Sequence, residues 1–117
     1  MTDDRTDTSP DLQSGDTLSG TQRKHLRGVA HALKPVVVVG KAGLSDSLRA
    51  EADRTLDNHE LIKVKLQGCD RRERKTVAAQ LVEVLHASLV GLIGNVAILY
   101  RQQRDPERRR ISPDPVA

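Results

Sequence analysis

Four valines in a row, Val36 to Val39, run straight into Gly40-Lys41-Ala42-Gly43, and Ser45 then opens a segment with Leu48, Ala52 and Leu56 at helical spacing. β-Branched side chains pack well on a pleated sheet and crowd a helix, so the valine run reads as a buried strand. A glycine-bounded turn leads it into a capped helix. That order commits the chain to a strand, a crossover helix and a parallel strand, hence to an α/β sheet.

The flanks extend the pattern. Upstream, Leu18-Ser19 opens a first helix. Ser19 and Gln22 have capping-box spacing, and Leu26, Val29, Ala30 and Leu33 recur along one face. Lys34-Pro35 ends that helix, because the residue before proline is pushed out of the α region. Downstream, Leu61 to Leu66 alternates with period two, a half-exposed strand with Lys63 and Lys65 outward. Gln67-Gly68-Cys69 turns the chain. Asp70 and Glu73 cap a third helix with Val77, Ala78, Leu81, Val82 and Leu85 inward. Leu89 to Ile93 and Val96 to Tyr100 form a hairpin about Gly94-Asn95.

The predicted order is α-β-α-β-α-β-β. If both right-handed crossovers move the same way across the sheet, helices two and three land on one face. The apolar runs of strands one, three and four ask for cover on the other face as well. The first helix is expected there, with Lys63 and Lys65 marking the part left open to water.

Residues 1–17 carry five aspartates against Arg5, about −4, and read as a disordered acidic tail; residues 18–117 carry 18 basic and 11 acidic residues, about +7. Residues 18–101 form the folded domain, and 102–117, rich in arginine and proline, read as a frayed, flexible basic tail. The basic excess suits a polyanionic partner. Tyr100 is the only aromatic residue, so the chain lacks the stacking platform of single-strand readers. If it binds RNA, it holds backbone and shape. One cysteine, no apolar stretch near the roughly 20 residues of a membrane span and an acidic N-terminus suit a soluble, cytoplasmic protein.

Gly40 and Gly43 allow positive φ and close approach of a polyanion to the backbone. The amides near Ser45 attract phosphate, and Lys41 adds charge at the tip. A plain tight turn satisfies the same spacing. Lys24, Arg27, His31 and Lys34 fall within one quarter of the first helix, beside its apolar stripe; a solvated helix face is the alternative.

Leu33-Lys34-Pro35 leading to Val39-Gly40-Lys41-Ala42-Gly43 resembles the opening half of the bacterial YhbY family, the stand-alone form of the CRM RNA-binding domain. His59 to Lys65 is similar to its second strand and Val96 to Arg101 to its last, so the resemblance spans roughly residues 18–101. It implies a two-layer fold similar to the C-terminal domain of bacterial translation initiation factor three, with a four-stranded mixed sheet in the order 1-2-4-3 and strand four antiparallel. It also implies association with ribosomal RNA in precursors of the large ribosomal subunit. The family's glycine loop maps onto Gly40, Lys41, Ala42 and Gly43. Asn95 departs from the family pattern, which often has a basic residue there, and takes weight off the hairpin tip as an RNA contact.

Other chemistry fits poorly. A P-loop needs glycine at Pro35 and Ser or Thr at Ala42. His25, His31, His59 and His86 are scattered, and Cys69 has no zinc-ligand spacing. The expectation is a binding protein, monomeric, without cofactor or metal, and not an enzyme. Its RNA contacts would be the glycine loop, Lys24, Arg27, His31 and Lys34, with Lys63 and Lys65 on the second strand. A duplex-DNA architectural protein and a module for an acidic protein partner are the alternatives.

Overall fold

The computed structural model describes residues 18–40 and 43–115. The acidic segment 1–17, Lys41-Ala42 and the last two residues lie outside the described residues, so the tail expectation for 1–17 is not addressed by it.

The elements follow the predicted order: α1 (Gly20–Ala30), β1 (Val37–Val39), α2 (Asp46–His59), β2 (Leu61–Leu66), α3 (Arg71–Leu85), β3 (Ser88–Ile93) and β4 (Val96–Tyr100). The sheet order is β1-β2-β4-β3, with β1 parallel to β2, and β4 antiparallel to both its neighbours. The helix starts are those the sequence marks. Ser19 and Gln22 exchange hydrogen bonds of 3.0 and 2.9 Å, and Asp70 and Glu73 do the same at 2.8 and 2.9 Å. Each pair satisfies amide donors that a helix start otherwise leaves unpaired.

Alternation along the strands splits the apolar residues between two faces. Val37, Val39, Ile62, Val64, Leu66, Ala97 and Leu99 point to α2 and α3, where Ala52, Leu56, Ala78, Leu81 and Leu85 complete the main core. Leu61, Val90, Ile98 and Tyr100 point the other way and are covered by Leu18, Leu26 and Ala30 of the α1 region. The first helix therefore covers the second face, as the apolar runs required.

Three local expectations differ. α1 ends at Ala30, before Lys34-Pro35, and Leu33 and Val29 are 37% and 39% exposed rather than inward. The chain must leave the helix early to reach the edge of the sheet, and the Lys63 ammonium donates to the freed Leu33 carbonyl at 2.9 Å. β1 is buried on one face only: Val37 and Val39 are covered, while Val36 and Val38 are 51% and 46% exposed. It is an edge strand, and α1 lies over β2 and β3 instead of over it.

The third difference is the C-terminal segment. Residues from Gln103 to Asp114, expected to fray, lie along the domain. Glu60, 1% exposed, accepts hydrogen bonds from the backbone amides of Gln103 (2.8 Å), Arg110 (2.6 Å) and Ile111 (3.0 Å). Tyr100 Oη donates to the Ile111 carbonyl at 3.2 Å, and burial, reinforced by the Glu60 charge, pushes its pKa well up, so the phenol keeps the proton it donates. Glu60 holds φ +65°, a conformation that costs a non-glycine residue about 1–3 kcal/mol. Three amides on one buried carboxylate offset that strain.

Candidate RNA-binding site

The glycine turn follows β1. Gly43 N–H donates to the Gly40 carbonyl at 3.0 Å, which closes a tight turn between the two glycines, and Gly43 takes φ +73°. A side chain at Gly43 would be strained by that backbone. At Gly40 φ lies outside the left-handed region, and among the described residues an added Cβ would meet no atom within 4 Å beyond those of its chain neighbours. The fold therefore requires glycine at 43 and not at 40. What a bare Gly40 provides is room for something outside the protein to reach the backbone.

Ser45 caps α2, its hydroxyl accepting from Leu48 N–H at 3.2 Å. Asp46 occupies the first helical position, where a carboxylate already complements the positive end of the helix dipole. That makes the α2 terminus a poorer anion site than the spacing of Ser45 implied. The weight falls on the turn.

Neighbouring segments meet at the same end of the sheet. Gln67 N–H donates to the Val39 carbonyl at 2.9 Å and Leu66 N–H to the Asn95 carbonyl at 2.7 Å. Arg74 ties the start of α3 to this end through the carbonyls of Cys69 (3.2 Å) and Gly94 (3.4 Å). Arg71, Arg72 and Lys75 are exposed beside it. Sequence reasoning passed over these cations. Four of the five residues from Arg71 to Lys75 are basic, in the first turns of a helix, where the dipole disfavours positive charge. That mismatch was the available signal.

The sheet face that α1 leaves uncovered lies next to the turn. Register places Val38, Lys65, Val96 and Ile93 in one row across β1, β2, β4 and β3, with Lys63 and Ile98 in the row below. Val38 and Ile93 are 46% and 60% exposed. A cleft of about 270 Å³ between this face and α1 is lined by Arg27, His31, Pro35, Lys63, Ile93 and Val96, over Ile98. Arg27 reaches the sheet because residue 91 is glycine: a Cβ there would lie 3.2 Å from Arg27 Cδ. A bulge between Leu89 and Gly91 turns that glycine toward the helix.

The predicted contacts thus separate into groups. Arg27, His31 and Lys63 share the cleft, and Lys65 lies one row above, toward the turn. Because α1 stops at Ala30, Lys34 lies in the connection beyond it and faces a second groove. Lys24 sits farther along α1, exposed, beside Pro115. Lys41 and Ala42 lie outside the described residues. Lys63 serves the fold and the surface together through its bond to Leu33. Arg101 is structural: its guanidinium pairs with Asp53 (2.7 Å) and Asp57 (3.0 Å) and donates to the Leu85 carbonyl.

Among the described residues no cluster of three or more His, Cys, Asp or Glu is placed to hold a metal, and no helix is long and apolar enough to cross a membrane. Cys69 is half-buried against the main core.

Residues 18–101 match the family model described as the CRS1 / YhbY (CRM) domain. A protein of Haemophilus influenzae named "RNA-binding protein" is 40% identical over 89 residues, 76% of this chain and 90% of its own length. The Pseudomonas aeruginosa protein PA4753 is 37% identical over 91 residues, 78% of this chain and 88% of its own. The solution structure of SAV1595 from Staphylococcus aureus superposes with a TM-score of 0.70 at 32% identity, covering 80% of this chain and 98% of that one.

Proposed function

The chain belongs to the CRS1 / YhbY (CRM) domain family, and on that footing we propose that it binds structured RNA by the sugar-phosphate backbone. The observation that carries the reading is Gly40: a glycine without a left-handed backbone to require it, at the start of the turn that its carbonyl closes with Gly43. Beside it lies a cleft lined by Arg27, His31 and Lys63. A strand pressed against the turn brings its phosphates to Lys41, and the next phosphates run along the cleft. Arg71, Arg72 and Lys75, exposed in the first turns of α3, add positive charge at the same end of the sheet. The aliphatic surface of Val38, Val96 and Ile93 contributes contact without the ring faces that read bases.

The target within this reading is ribosomal RNA of the large subunit or its precursor, bound by residues 18–101 during ribosome assembly in the cytoplasm. The support for this target is the resemblance of the glycine turn and the second and last strands to the YhbY family; the name of the Haemophilus influenzae relative supports RNA as the ligand and no particular RNA. The role is binding, with no chemical step.

The test is binding of the full chain to a fragment of large-subunit ribosomal RNA, with a matched DNA duplex as competitor. RNA should win, since contacts to 2′-hydroxyls are lost in DNA. Chemical-shift changes should centre on residues 40–45 and on Arg27 and His31. Equal competition by DNA, or shifts confined to another surface, would overturn the proposal.

A further inference from the structure

Beyond residue 101 the chain lies outside the family match, yet the Glu60 clasp holds it against the domain. One consequence is a second groove, about 340 Å³, at the end of the sheet opposite the glycine turn. Its walls are aliphatic: Val29, Leu33 and Val36, three of the large apolar side chains the fold leaves exposed, with Ile111 from the clasped segment. Its rim holds Lys34, His59 and Arg110, and no carboxylate lines it. Among the described residues the Lys34 and Arg110 side chains have no ion-pair partner. Arg110 stands on this rim because its own amide is fixed at 2.6 Å to Glu60.

The groove adjoins the cleft of the proposed RNA surface. Residues 33–36 form the ridge between the two depressions: Pro35 lines the Arg27–His31 cleft, while Leu33, Lys34 and Val36 line the groove. From Val36 to Gly40 the chain rises roughly 13 Å at about 3.3 Å per residue, the length of a few nucleotides at most.

We propose that this groove takes one unpaired nucleotide of the bound RNA, its base against Val29, Leu33 and Val36 and its phosphate between Lys34 and Arg110. The inference rests on the RNA reading above and adds to it a preference for a bulge or loop beside the paired region. The volume falls within the range of sites that enclose a small ligand. The charge on the rim matches a phosphate, and an aliphatic wall accepts any base, so the preference is for an unpaired position and not for a sequence.

The experiment compares two RNAs, a fully paired stem and the same stem with a single-nucleotide bulge, against the full chain and three variants. Wild type should favour the bulged stem severalfold. Leu33→Glu should abolish that preference, and Arg110→Ala should reduce bulged-stem affinity about three- to tenfold; Ala keeps the amide that Glu60 binds, so the clasp remains. Lys41→Ala with Arg27→Ala should weaken both RNAs by a similar factor. Should Leu33→Glu and Arg110→Ala bind both stems as wild type does while the Lys41/Arg27 pair weakens both, the groove inference falls and the RNA reading stands. Should no chain bind either stem, both fall.

Discussion

Replacing Gly40 and Gly43 separately by alanine divides what the fold needs from what a ligand needs. At Gly43, φ +73° is a left-handed backbone that costs an alanine about 1–2 kcal/mol. For a domain of this size each kcal/mol moves the midpoint by about 4–8 °C, so Gly43→Ala should lower Tm by roughly 4–16 °C. At Gly40 the new methyl meets no atom within 4 Å among the described residues beyond its chain neighbours, and φ lies outside the left-handed region. There the dominant effect is a less flexible unfolded chain, which stabilises by about 0.4–1 kcal/mol. Tm should hold or rise by a few degrees. RNA affinity should move the other way, since a methyl at the start of the turn displaces a phosphate from the backbone amides. Loss of one charge-assisted hydrogen bond costs about 1.5–3 kcal/mol, or tenfold and more in Kd. Thermal unfolding and fluorescence-anisotropy titration on the same preparations measure both quantities. A Gly40→Ala protein that melts like wild type and binds RNA within twofold of it would refute the claim that the turn's bare backbone is the contact.

The remaining expectations concern salt, the overlooked cations and the C-terminal segment. With about five phosphate contacts, log K should fall against log salt with a slope of roughly −3.5 to −4.5, and titrations between 50 and 200 mM salt check this; a flat response would exclude backbone recognition. Arg71→Ala with Arg72→Ala should weaken RNA binding while raising stability by about 0.3–1 kcal/mol per site, because the charges oppose the α3 dipole; denaturant unfolding reads the second effect. Tyr100→Phe removes the hydrogen bond to Ile111 and should cost about 0.5–1.5 kcal/mol. Ending the chain at Arg101 should cost considerably more, since the Glu60 carboxylate loses all three amide donors while φ +65° stays strained. A truncated protein as stable as the full chain would contradict the clasp.

Local signals in the sequence were sufficient for the elements and their order. Ser19 with Gln22 and Asp70 with Glu73 cap helices through atoms three residues apart, so the sequence carries the whole interaction. The alternation of Leu61 to Leu66 set its faces correctly for the same reason. The end of α1 was not legible, because what stops it at Ala30 is the position of a sheet edge, with a lysine 30 residues away capping Leu33. Glu60 was illegible as an anchor for a different reason: its partners lie 43 to 51 residues downstream in a stretch whose composition resembles a tail. Within the candidate site, the position of the glycine turn and the shared helix face of Arg27 and His31 could be read directly. Gly91, which makes room for the Arg27 stem, has meaning only once β3 is laid beneath α1.

The brevity of β1 bears on how the molecule behaves in a crowded cell. An apolar strand on the border of a sheet invites other chains to add themselves to it, and valines are among the residues most prone to such growth. Here the strand spans three residues, extended only by the Val36 amide on the Lys63 carbonyl; Pro35, before Val36, has no amide to offer, and Gly40 follows directly after Val39. The border is too short to template an incoming strand, so Val36 and Val38 can stay bare without seeding fibrils.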